Sequence, residues 1–75
     1  MRALMIRTTA SRLRKGQRVK LRTSAQMWKC LESCAESKDG YACVAIGYHK
    51  QWLSPGYKVQ VPLEDDPVLG GAALP

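Results

Sequence analysis

Seventy-five residues carrying a formal net charge of +6 make one small domain at most. A chain this short buries only about 60% of the surface its unfolded form exposes. With no Phe, its marginal core must come from Leu, Val, Met, Cys, two Trp and three Tyr. Three cysteines cannot all pair within one chain, which fits a reducing compartment better than a secreted disulfide framework. No apolar run approaches the roughly 20 residues that span a bilayer.

Residues 1–9 read as a flexible basic arm around Ala3-Leu-Met-Ile6, since free termini are commonly poorly ordered. Their Arg/Ser/Thr-rich, acid-free character is similar to an organelle transit peptide, but the basic pattern runs straight into a strand, so the expected location is cytoplasmic. Thr9 is placed to cap a short helix from Ala10 to Lys15, with Gly16 as its left-handed stop. From Gln17 to Thr23 the chain alternates, putting Val19 and Leu21 on one face and Arg18, Lys20 and Arg22 on the other. Thr23-Ser-Ala-Gln26 matches a capping box and predicts a helix to about Lys38, with Met27, Leu31, Cys34 and Ala35 as its buried stripe and Gly40 as its end. Tyr41–Tyr48 is β-prone and apolar, and predicts a central strand. His49–Leu53 is ambiguous, Ser54-Pro55-Gly56 is a turn, and Tyr57–Val61 alternates as a third strand pairing with the second. From Leu63 to Pro75 the acids, Gly and Pro predict a disordered acidic tail. The expected fold class is α+β: a β-α-β-β domain over residues 10–62, one helix on a short antiparallel sheet.

The charge is unevenly placed. Residues 1–22 hold eight cations and no acid, whereas residues 62–75 hold Glu64, Asp65 and Asp66 and no base. That density exceeds what solubility requires and points to a nucleic acid or an acidic protein surface. Six of the eight are Arg, which suits forked contacts to phosphate or carboxylate. The candidate contacts are Arg7, Arg12, Arg14, Lys15, Arg18, Lys20 and Arg22. Lys50 and Trp52 join them, because an aromatic beside a cation can stack on a base or fill a partner's pocket. Trp52 serves equally well as a cover for one end of the core.

Chemistry is harder to find. Cys30, Cys34, Cys43 and His49 are a ligand set that structural zinc accepts, and two cysteines four apart share a helical face. Paired zinc cysteines usually sit on a tight turn instead, so buried core thiols are the favoured reading and no metal or other cofactor is expected. A Cys-His nucleophile lacks an orienting Asn, since the chain has none, and no glycine-rich phosphate loop is present. The chain is not expected to be an enzyme.

The size and the leader Leu4-Met-Ile-Arg-Thr-Thr-Ala-Ser-Arg-Leu-Arg-Lys-Gly-Gln-Arg-Val-Lys-Leu21 resemble the small transcription regulators with which lytic phages seize bacterial RNA polymerase, acting as initiation inhibitors and antiterminators. The resemblance implies docking near the RNA exit channel, at the amino-terminal part of β′ and the β flap, with the leader cations against polymerase and nascent RNA. Gly16-Gln-Arg-Val-Lys-Leu21 also looks like the opening strand of SH3-like barrels in RNA-binding and ribosome-associated proteins. Together these imply a monomeric transcription regulator acting by occupancy, with direct RNA or DNA binding, or a zinc-stabilised interaction module, as the alternatives.

Overall fold

In a computed structural model, which describes residues 4–65, the chain forms six strands. They are β1 (Met5–Thr9), β2 (Arg18–Leu21), β3 (Met27–Glu32), β4 (Ala42–Ile46), β5 (His49–Leu53) and β6 (Lys58–Pro62). Two 3-10 turns, Ala10–Arg12 and Leu63–Asp65, complete the regular structure. All the strands lie in one antiparallel sheet of order β1-β6-β2-β3-β4-β5. The strands from β2 to β5 form a meander, and β6 returns to lie between β1 and β2.

This architecture is all-β, not α+β. The largest correction is the helix expected from Thr23 to Lys38, which is β3 followed by turns. Met27, Leu31, Cys34 and Ala35 do recur at helical spacing, but Trp28 and Cys30 also alternate with Met27, Lys29 and Leu31. The second pattern wins because β3 lies inside the sheet. It pairs with β2 on one side and β4 on the other, and Trp28 and Cys30 enter the core opposite Val19 and Val44. Non-local pairing overrides a local helical preference that is worth only tenths of a kcal/mol per residue. A reciprocal cap does form, ten residues later than expected, on Ser33 and Glu36 in place of Thr23 and Gln26: Glu36 N–H donates to Ser33 Oγ at 3.3 Å, and Ser33 N–H donates to Glu36 Oε1 at 3.0 Å. It closes a single turn.

Smaller corrections follow the same logic. The expected helix from Ala10 to Lys15 is one 3-10 turn without a side-chain cap from Thr9. Met5–Thr9 of the expected arm is edge strand β1, paired along its whole length with β6. The strand Tyr57–Val61 does exist, as β6, but it joins β1 and β2 and does not pair with β4. Leu63–Asp65, assigned to the disordered tail, is a turn whose Leu63 N–H donates to Leu4 O at 2.7 Å. The remaining arm and tail expectations, for residues 1–3 and 66–75, lie outside the described residues.

The expected glycine stop at Gly16 and the Gly40 turn both have positive φ, and Tyr57 N–H closes the Ser54-Pro55-Gly56 turn on Ser54 O at 3.0 Å. Gly47 adds a feature that the reading of Tyr41–Tyr48 as one strand missed. Ile46 pairs with His49, so Gly47-Tyr48 is a two-residue hairpin loop. Gly47 has φ +58 while Tyr48 is not left-handed, which fits the II′ hairpin turn with Gly in first place.

One apolar cluster organises the sheet. It takes Val19 and Leu21 from β2, Trp28 and Cys30 from β3, Ala42 and Val44 from β4, Leu53 from β5, and Val59 and Val61 from β6, with Ile6 of β1 packed against it. Residues from both edges of the strand order share this cluster, so the sheet curls around it. Ala10 and Leu13, on the connection from β1 to β2, close the open side. Ala10 N–H donates to Tyr57 O and Ser11 N–H to Pro55 O, each at 2.9 Å, which ties that connection to the turn between β5 and β6.

Candidate polyanion-binding face

Because side chains alternate across a strand, every residue flanking a core position looks outward. The registers then determine which outward residues are neighbours. Arg7 of β1 and Lys20 of β2 both pair with Gln60 of β6, giving the row Arg7–Gln60–Lys20 across three adjacent strands. Thr9 pairs with Lys58 in the next row, where continuation of the ladder brings in Arg22. Arg7, Lys20, Arg22, Lys58, Thr9 and Gln60 line an open groove of about 690 Å³. Among the described residues no carboxylate lines it.

The candidate cations separate into distinct groups. Arg7, Lys20 and Arg22 meet in the groove, joined by Lys58, which the sequence reading left out. Lys58 was masked by its position within a short alternating strand, and only its register against β1 and β2 reveals its neighbours. Arg12, Arg14 and Lys15 sit on the connection from β1 to β2, away from the groove. Lys15 acts on Glu36, whose carboxyl is held below its usual range first by its hydrogen bond from the Ser33 backbone.

Arg18 is committed elsewhere. Its Nε donates to Asp65 Oδ2 at 3.0 Å and its Nη2 reaches Glu64 Oε1. Gln17, a buried amide, fixes this arrangement. Its Nε2 donates to Asp65 O at 3.1 Å, and its Oε1 accepts from Arg14 N–H at 2.9 Å. The acids foreseen only as tail thus clamp one of the foreseen contacts. The Arg18 hydrogen bond holds the Asp65 carboxyl below its ordinary value of 3.8, against a smaller opposing effect of burial. A carboxyl depressed in the folded state stabilises above its unfolded pKa, and that stability is lost as pH falls through the folded value. Asp65→Asn should therefore lower the urea midpoint at neutral pH. The difference from wild type should vanish in acid below the usual carboxylate range. A difference that does not change with pH would show that the pair contributes nothing through charge.

Lys50 and Trp52 lie on β5, three strands from the groove. Lys50 pairs with Ala45 and Ala45 with Lys29, while Trp52 pairs with Cys43, so all of them look outward. Met27 and Leu31 of β3 share that side, and Met27, Leu31 and Trp52 are 41%, 39% and 60% exposed. Leu31 was expected in the core. Trp52, weighed equally as core cover and as contact, stands out from the sheet, as does Tyr48 at the hairpin tip.

The zinc alternative is not assembled. Cys30 points into the core while Cys43 looks outward beneath Trp52, and His49 begins the edge strand. Burial pushes the Cys30 thiol up, away from the thiolate that a metal or a nucleophile requires. Among the described residues no three His, Cys, Asp or Glu side chains gather as a metal site, and no helix is long and apolar enough to cross a membrane. The chain matches no protein-family model, no curated protein and no solved structure.

Proposed function

We propose that this protein is a non-enzymatic binding module that holds nucleic acid by its phosphates in the groove between β1, β6 and β2. The observation that carries this reading is the convergence of Arg7, Lys20, Arg22 and Lys58, from three strands, in one groove that no carboxylate lines among the described residues. Guanidinium, ammonium, amide and hydroxyl groups attract and orient a phosphate, and among the described residues no carboxylate or imidazole lines the groove to move a proton. The module therefore acts by occupancy. The strand that resembles the opening of SH3-like barrels is β2, one wall of this groove.

In a groove open to water each contact is weak, about 1 kcal/mol at 4 Å, so affinity comes from counterions released together. Four phosphate contacts predict a slope of about −2.8 in log K against log salt for a single strand, roughly a fifty-fold loss between 50 and 200 mM. Titrating a labelled oligonucleotide at several salt concentrations measures it. A flat dependence would remove the reading. Bacterial RNA polymerase, the partner implied by the phage-regulator resemblance, is a proposal resting on the same cations. Its capture should survive nuclease digestion at a fixed stoichiometry, whereas loss of capture with the nucleic acid favours direct binding.

A further inference from the structure

Resting on that reading, we infer that the bound nucleic acid is single-stranded and crosses the outer face of the sheet from the cationic groove to Trp52, on which one base stacks. The groove alone would accept any polyanion. What narrows the choice is the apolar character of the other half of the same face.

The registers lay the path out. The row Arg7–Gln60–Lys20 continues to Met27, because Lys20 pairs with Met27. One row further along lie Lys29, Ala45 and Lys50, and one row beyond that Glu32, Cys43 and Trp52, where the exposed Glu32 carboxylate is separated from the indole by Cys43. Cations and apolar groups therefore alternate diagonally over the sheet, ending on an indole that is 60% exposed. Lys20 and Trp52 are separated by three strand spacings and about four residues along the strands. At about 4.8 Å and 3.3 Å each, that is roughly 20 Å on a flat sheet, the length of a few nucleotides. Arg18, which also belongs to this face, is already held by Asp65 and Glu64, so the open cations lie on either side of it.

A duplex keeps its bases stacked inside and presents phosphates to both sides, so it would use the groove and leave Trp52, Met27 and Leu31 against water. A single strand offers phosphates to Lys20, Lys29 and Lys50 and an unstacked base to Trp52 in one passage. Stacking of this kind tolerates any base, because every base has a π-face. An acidic protein segment matches the charge but gives the indole no planar partner.

The test uses the full chain and four labelled probes: an oligo-U RNA and an oligo-dT of about ten nucleotides, an RNA duplex of the same length, and heparin. Wild type should bind the two single strands more tightly than the duplex, with quenching of Trp emission, and the RNA and DNA arms show whether the sugar is read. Trp52→Leu should weaken single-strand binding by about 5- to 150-fold, leave heparin unchanged and abolish the quenching, and Trp52→Tyr should restore most of the affinity. If that variant fails to fold, quenching in the wild type still decides. Salt-dependent binding that ignores the Trp52 substitution, or that prefers the duplex, would overturn the single-strand path and leave the groove standing. Binding to none of the four probes would overturn both, and preferential binding of a fifth, a labelled polyglutamate peptide, would overturn the single strand and assign the face to an acidic protein.

Discussion

Leu21→Ala should lower the unfolding free energy by about 2–5 kcal/mol, while Leu31→Ala should cost less than about 1 kcal/mol. Both are leucines on neighbouring strands, and both lie in stretches whose spacing marked them as core. Leu21 is fully buried between β6 and β3, so truncation removes its burial and leaves a hole that a curled sheet closes only in part. Leu31 is 39% exposed on the outer side, at the irregularity where Cys30 pairs with Val44 and Glu32 with Cys43. Its methyl groups already meet water. Small domains hold only a modest stability in total, so the larger loss should leave Leu21→Ala partly unfolded at room temperature. Urea titrations of the two variants measure the contrast. Equal losses, or a greater loss at Leu31, would restore the helix and discard the sheet.

The second large effect concerns binding. Replacing Arg7, Lys20, Arg22 and Lys58 together with Ala should leave the melting temperature within a few degrees of wild type and make the salt dependence of nucleic acid binding shallower by about 2.8 units of slope. Three of these side chains are exposed and Lys20 is half-buried, and among the described residues none of the four has a carboxylate partner, so folding loses little. Each single replacement should remove about 0.7 of the slope. Replacing Arg12, Arg14 and Lys15 together is the matched control, since these cations lie outside the groove. If that control triple changes the slope as much as the groove quadruple does, binding follows net charge and not the arrangement on β1, β6 and β2.

The contrast between these two sets shows what the leader's charge did and did not disclose. Eight cations in 22 residues are visible at once, and the alternation of Val19 and Leu21 with Arg18, Lys20 and Arg22 correctly orients β2. Their division into groove, connection and clamp is not visible, because it depends on β6 arriving between β1 and β2 from some forty residues further along the chain. Lys58 belongs to the groove for the same reason, and Arg18 leaves it because Gln17 pins Asp65 beside it.

Read from the residues alone, the chain is small and basic, β2 faces cations outward, and Gly16, Gly40 and Pro55-Gly56 turn the chain. These are local matters, settled by side-chain alternation and by which residues tolerate a left-handed backbone. That Met27–Glu32 is a strand, and that the groove forms where it does, follows from the pairing of distant segments in the folded sheet. Strand pairing is worth little to any segment alone and is fixed by partners distant in the chain, so a segment with two plausible periodicities adopts the one its neighbours in the sheet can satisfy.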